Sequence, residues 1–364
     1  MTIRTICVFA ALMTIASCGG PGKADDPSDV TSRLMTDATG IDDESFSAAG
    51  WKGMLAYYGD SWDNPEGKGR LYDWITVPSH DLFVPSLKQV SDQGYGLVIV
   101  SGFMWDTALA EVAPLYPGQK YLIIDVKWLD GPNIMQASFA EHEGSYLVGL
   151  AAALKARADG IATPRFGFIG GVPGRVITRF EMGWIQGIRS VYPDAGFVDY
   201  YANAWNKPEL AKAQARAWYD SGVYAIFSAA GATGNGTIAQ AKEYRLSGRN
   251  VWAVGVDGDQ HRAGVYADGK SAVLTSMLKR VDRATEYALR SVRDGSFEGR
   301  VYEFGAANGG VDFAVSNPEL GDAIVAAVNA AKAGIIDGSV VVVPGYAEAK
   351  SLGLAPDGLM ARDD

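Results

Sequence analysis

From residue 33 onward, short runs rich in β-branched and aromatic residues alternate with longer stretches whose apolar positions recur every three or four residues. Runs of the first kind predict strands and stretches of the second kind amphipathic helices. GLVIVS (96–101), YLIID (121–125), RFGFI (165–169), AIFS (225–228) and VWAVGV (251–256) read as strands, as do 33–36, 196–200 and 273–276. Helices are predicted between them, over 43–58, 82–93, 107–113, 141–158, 176–191, 209–220, 235–246, 281–294 and 318–332. In one of these, Phe180, Trp184, Ile188 and Val191 place a single apolar stripe toward a sheet, and Pro193 and Gly196 stop the helix.

Such alternation predicts an α/β fold of doubly wound, mostly parallel sheet with helices on both faces. Eight strands can form one wide sheet or two smaller ones. The break falls best at 138–141, where the strand-like NIMQASF gives way to a new helix and each half keeps its own β-α set. Two lobes with a cleft between them follow, divided as 33–139 plus about 273–300 for lobe I and 140–272 plus about 301–345 for lobe II. Ligands of open α/β sheets bind beyond the carboxyl ends of strands, so the residues just after each strand are the candidates for function.

The first twenty residues, MTIRTICVFAALMTIASCGG, follow another pattern. Arg4 supplies a positive n-region, 6–16 an apolar h-region, and Ile15-Ala16-Ser17-Cys18 reads as a lipobox. The apolar run is shorter than the roughly 20 residues a permanent span needs. Residues 1–17 are therefore expected to be a removed signal peptide, with Cys18 lipidated and 18–32 a flexible tether rich in Gly, Pro, Asp and Ser. An ordinary secretory signal with an incidental cysteine is the alternative.

Cys7 and Cys18 are the only cysteines, so the mature body has no disulfide and no thiol nucleophile. The three histidines, His80, His142 and His261, lie far apart without zinc-ligand spacing and read as surface or loop residues; no metal or other cofactor is expected. A formal charge of −10 leaves no basic stripe for nucleic acid or anionic lipid, so membrane attachment falls to the lipid on Cys18. Length suggests about two domains of 100–200 residues.

Three strand ends carry acids. Asp37 opens the acid-rich turn DATGIDDESF after the first strand, where Asp42 or Asp43 suits an N-cap and Phe46 is core or a ligand platform. Asp125 ends YLIID, and Asp257 ends VWAVGV with Asp259 two residues on. A carboxylate at a strand's carboxyl end can accept hydrogen bonds from adjacent sugar hydroxyls, although a solvated turn acid would look the same. GATGNG (231–236) follows AIFS and opens a helix; its glycines suit close approach to a neutral ligand or an anion, but it lacks the phosphate-binding lysine. Phe227, just before it, is a second candidate platform. Lys279, beside Arg280 and Asp282, is a solvated helix start or a donor to a ligand oxygen within an acid-lined cleft.

Six ordered blocks resemble the basic membrane protein family, the PnrA-like, purine-nucleoside-binding lipoproteins of ABC-type importers. They are TDATGIDDESF (36–46), FAEHEGSYLVGLAAA (139–153), FGFIGG (166–171) with RFEMGWIQGI (179–188), IFSAAGATGNG (226–236), VGVDGDQ (254–260) and VLTSMLKRVD (273–282), within a likeness running from about 33 to 343. The resemblance implies a type I periplasmic-binding fold whose cleft sandwiches a purine between Phe46 and Phe227. It implies that Asp37 contacts the base, while Asp125, Asp257 and Lys279 hold the ribose. Ala232 stands where the family usually has a second glycine, altering one backbone contact to the ribose. The loop Val172-Pro173-Gly174-Arg175 departs from the usual one and is expected on a lobe surface, and Trp105 is expected near the cleft entrance, narrowing the ligand range.

The expected role is capture of purine nucleosides by a lipid-anchored, monomeric extracytoplasmic protein for delivery to a permease and its ATPase, without enzymatic chemistry. Two alternatives stay open. One is a secreted nucleoside or glycoside hydrolase with two of Asp37, Asp125 and Asp257 as acid and base; the other is a ligand-sensing surface lipoprotein.

Overall fold

The structure, a computed structural model, describes residues 30–364. The expected signal peptide, the expected lipidation site Cys18 and most of the expected tether lie outside the described residues. The tether's expected end at residue 32 is too late, because Val30 is already buried and Ser32 begins the first strand.

Fourteen strands occur among the described residues: β1 (Ser32–Thr36), β2 (Tyr72–Thr76), β3 (Leu97–Val100), β4 (Tyr121–Ile124), β5 (Ile134–Phe139), β6 (Arg165–Gly170), β7 (Gly196–Tyr201), β8 (Val223–Ala229), β9 (Trp252–Asp257), the ribbon strands β10 (Val265–Ala267) and β11 (Lys270–Ser271), β12 (Val273–Lys279), β13 (Val301–Phe304) and β14 (Val311–Phe313). The helices are α1 (Phe46–Tyr58), α2 (Phe83–Asp92), α3 (Asp106–Val112), α4 (Glu141–Ala158), α5 (Arg175–Arg189), α6 (Pro208–Asp220), α7 (Asn235–Leu246), α8 (Val281–Arg293), α9 (Asp322–Asp337) and α10 (Tyr346–Ser351).

Two six-stranded sheets result, ordered β13-β5-β4-β3-β1-β2 and β14-β12-β9-β8-β6-β7. All neighbours are parallel except β12 with β14. Each sheet reverses direction of winding beside its first strand, between β1 and β3 and between β6 and β8, and such switch points leave crevices at the strands' carboxyl ends. Strand runs buried on both faces explain the near-continuous apolar sequences. In β3, Leu97 and Ile99 join one core while Val98 and Val100 join the core beneath α2 and α3. In β8, Ala225 and Phe227 face α4 and α5, and Ile226 faces α6 and α7.

The chain crosses between lobes after β5, after β12 and between β13 and β14. This corrects the expected division at two strands. Residues 273–279 belong to the second sheet, between β9 and β14, and 301–304 to the first, beside β5. Burial gives the reason: β12 is covered nearly throughout, as an interior strand must be, whereas the half-exposed β13 fits an edge. Helix α8 then returns to lobe I and packs on α1.

The eight expected strands all form. β2, β13 and β14 were not expected, being short edge strands with mixed polarity. The helix expected over 318–332 is a turn at Pro318–Leu320 followed, after Gly321, by α9.

Candidate ligand-binding cleft

The carboxyl ends of β1, β3, β4, β8, β9 and β12 converge on a cavity partly open to solvent. One end is acidic. Asp125 follows β4 and Asp257 closes β9, and both adopt left-handed backbone conformations, φ 68° and 63°. That geometry turns each side chain out of its strand into the cleft, and in a non-glycine residue it carries strain of about 1–2 kcal/mol that clusters at functional sites.

Lys279, the last residue of β12, is 1% exposed. Its Nζ lies 2.6 and 2.7 Å from the two carboxylate oxygens of Asp125 and donates to Glu141 Oε1 at 3.1 Å. The rings of Phe46, Phe139 and Phe180 surround it at 5.0–5.2 Å. Burial alone would lower the pKa of Lys279, but Asp125, Glu141 and Asp257 outweigh it and hold the ammonium above the ordinary lysine value. Burial raises both aspartates, Asp257 to about 6, with Lys279 opposing the rise. The cluster therefore keeps its lysine charged and Asp257 mostly ionised at neutral pH, while Asp125, raised to about 7, is only partly ionised there.

Glu141 was missed by sequence reasoning as a site residue, although it opens α4 within the block 139–153. It also lies 3.5 Å from Arg179. Asp43, offered as an N-cap, accepts the backbone N–H groups of Ser45, Ser47 and Ala48 and lines the cavity. Burial raises its pKa despite those three donors. Asp37 lines the outer part and accepts from the backbone and hydroxyl of Thr39.

The other end of the cavity is apolar. Phe103 and Met104 contribute there from lobe I and Trp205 from lobe II, while Phe46 and Phe180 lie against Lys279 at the acidic end. Trp205, in the polar loop between β7 and α6, donates Nε1–H to Met104 Sδ at 3.1 Å, and its ring meets Phe103 edge-on at 6.1 Å. Two glycines seat this indole. A Cβ on Gly171 would stand 2.1 Å from the Trp205 ring, and Gly231, at φ +55°, lies against the Trp205 backbone. Thr233 fixes the same loop, donating N–H to Trp205 O and its hydroxyl to Ala204 O.

Four expectations require correction. Phe227 does not reach the cleft: it is fully buried in mid-β8, 5.5–6.2 Å from Phe168, Phe180 and Trp184. β8 runs two residues beyond Phe227, which keeps that ring within the sheet beneath α5, and the strand end and turn, Ala229, Ala230 and Gly231, reach the cleft instead. Ala232 is likewise outside the cavity lining, because the turn at Gly231 points the next residue away. Trp105 is buried in the lobe I core, stacked on Phe83 at 3.8 Å, rather than at the entrance. The loop 172–175 faces the other lobe, with Arg175 over Trp128 at 4.6 Å and Val172 at the cleft mouth.

His80 is exposed, but His142 sits on α4, largely covered, and burial lowers its pKa to about 4. Asp259 is exposed, bonded to Ser316 and the N–H of His261, and does not line the cavity.

The lobes are closed on one another. The Ser45 hydroxyl from lobe I donates to Asp257 of lobe II. Asn235 and Gln260 reach the carbonyls of Asp43 and Glu44 at 3.4 Å. No cluster suited to a metal ion and no helix long and apolar enough to cross a membrane occurs among the described residues.

Known proteins place this architecture. An ABC transporter solute-binding protein from Aeropyrum pernix K1 superposes with a TM-score of 0.76 at 23% identity, covering 89% of this chain and 98% of that one. A periplasmic solute-binding protein from Actinobacillus succinogenes, solved with D-allose, gives 0.59 at 16% identity, covering 80% and 99%. The fold is that of the periplasmic binding proteins. In sequence, the chain is 33% identical over 348 residues to a CD4+ T-cell-stimulating antigen of Listeria innocua, covering 92% of this chain and 96% of the relative. It is 32% identical over 354 residues to the ABC transporter nucleoside-binding protein BmpA of Lactococcus lactis, covering 94% and 96%. The profile of the PnrA-like ABC transporter substrate-binding proteins matches residues 31–343. This chain belongs to that family.

Proposed function

We propose that the protein captures purine nucleosides outside the cytoplasm and passes them to an ABC-type permease, held at the membrane by a lipid on Cys18. The observation that carries this reading is the pairing of ends in one cavity: Asp125 and Asp257 with Lys279 and the ring of Phe46 at one, and the rings of Phe103 and Trp205 at the other. Carboxylates able to accept two adjacent hydroxyls select a ribose, and ring faces accept a flat heterocycle with little demand on its substituents. The Lactococcus relative named as nucleoside-binding supports the same ligand class.

Closure follows from contacts offered by both lobes. A ligand that bridges Phe46 and Asp37 of lobe I to Trp205 and Asp257 of lobe II binds the closed state better than the open one, and shifts the population accordingly. The ligand's hydroxyls replace the Ser45 hydroxyl on Asp257. Lys279 is fully engaged by three acids, so a phosphate finds no free cation and nucleosides are favoured over nucleotides. No covalent chemistry is required.

Calorimetry with adenosine, guanosine and inosine tests the reading, together with mass spectrometry of any co-purifying small molecule. Saturable one-to-one binding with the nucleoside recovered intact is the expected result. Lack of affinity for all three, or release of hypoxanthine from inosine, would overturn it.

A further inference from the structure

A second chamber, partly open to solvent, adjoins the cleft. Four residues form the boundary common to both: Asp37, Thr39, Met104 and Trp205. Beyond them the wall is mostly apolar, made by Val77, Pro78 and Phe83 of lobe I and Val172 and Ala204 of lobe II. Ser79, His80, Asn203 and Asn206 contribute polar groups. No lysine or arginine lines it.

The orientation of a ligand decides what this chamber meets. Asp125, Asp257 and Lys279 line the first cavity alone, whereas the four boundary residues line both, so a sugar held by the former directs its base toward Asp37, Met104 and Trp205. The outer edge of the heterocycle then faces the second chamber. An apolar wall gives a substituent there a favourable transfer out of water, while the lack of cations offers nothing to an anionic one. Met104, unbranched and adaptable, can shift to admit it.

Building on the nucleoside reading, we propose that the cleft takes purine nucleosides enlarged by a neutral, apolar group on the exocyclic edge of the base, and that this group lodges in the second chamber. Base-modified nucleosides would thus be ligands alongside the plain ones.

The test compares adenosine with N6-benzyladenosine by calorimetry on the wild-type protein and on Ser79→Trp, which fills the chamber from lobe I without touching the first cavity. Wild type should bind the two within about threefold of each other, and Ser79→Trp should leave adenosine unchanged while weakening the benzyl compound about tenfold or more. Val172→Trp fills the chamber from lobe II and should discriminate in the same way, which guards against a misfolded first variant. If adenosine binds wild type and N6-benzyladenosine does not, or if both variants weaken both ligands equally, the inference is overturned and the nucleoside reading stands. If neither compound binds wild type and guanosine and inosine fail as well, the nucleoside reading itself has failed and takes the inference with it.

Discussion

The two ends of the cleft were built by different means. At the acidic end, each group is attached to the last residue or the first residue beyond a strand: Asp125 after β4, Asp257 at the end of β9, Lys279 at the end of β12. Hydrogen-bonded ladders hold those strands in register, so the position of each group in space follows from its position in the chain. At the apolar end, Phe103 and Trp205 sit on loops, and their meeting depends on one lobe docking against the other. A group anchored by a sheet can be assigned from local pattern; a ring contributed by a loop needs the closed molecule.

The largest expected effect breaks the acidic end outright. Lys279→Met leaves three buried carboxylates without their cation, and should cost about 3–5 kcal/mol of stability and abolish nucleoside binding, read by denaturant unfolding and calorimetry. A variant as stable as wild type would mean that water replaces the ammonium without loss. At the apolar end, two substitutions separate core from platform. Phe227→Ala should lower stability by about 3–5 kcal/mol as a core truncation, whereas Trp205→Ala should leave unfolding nearly unchanged and weaken binding by about 1–3 kcal/mol. The reverse pattern would return Phe227 to the cleft.

Asp257→Ala sharpens the role of the acids as readers of the sugar. Loss of a charged acceptor should weaken a ribonucleoside by about 1.5–3 kcal/mol and its 2′-deoxy analogue by less. Binding to wild type should also decline as pH falls through about 6, because Asp257 gains a proton there and stops accepting.

The smallest effect concerns a buried acid that has no lysine. Glu181 on α5, bonded to Tyr201 and near Asp199, has its pKa pushed up to about 8, by burial first and then by Asp199. The folded protein therefore keeps a proton that the unfolded chain has lost above its ordinary value of 4.5, and stability should fall as pH rises from 4.5 toward 8. Glu181→Gln should flatten that decline and stabilise the protein by about 1–2 kcal/mol at pH 9, measured by thermal unfolding at several pH values. An unchanged pH profile would show that Glu181 is ionised without a counter-charge, and the contrast with the Lys279 cluster would disappear.

Sequence alone determined the two-lobed α/β plan, because strand and helix periods are local properties and every strong apolar run became an interior strand or a covering helix. It offered Asp37, Asp125 and Asp257 as cleft candidates for the same reason, strand ends being readable where burial on both faces sets the strand's extent, whereas Lys279 lay beyond the expected strand end at 276 and was pointed to by the family resemblance. Tertiary structure decided the rest. β8 runs two residues past Phe227, which leaves that ring in the middle of a strand, on the face that alternation shares with Ala225 and turns toward α4 and α5. Trp205 lines the cleft because Gly171 and Gly231 leave space for its indole and Thr233 ties its loop, contacts between segments 26 to 34 residues apart that no local pattern encodes.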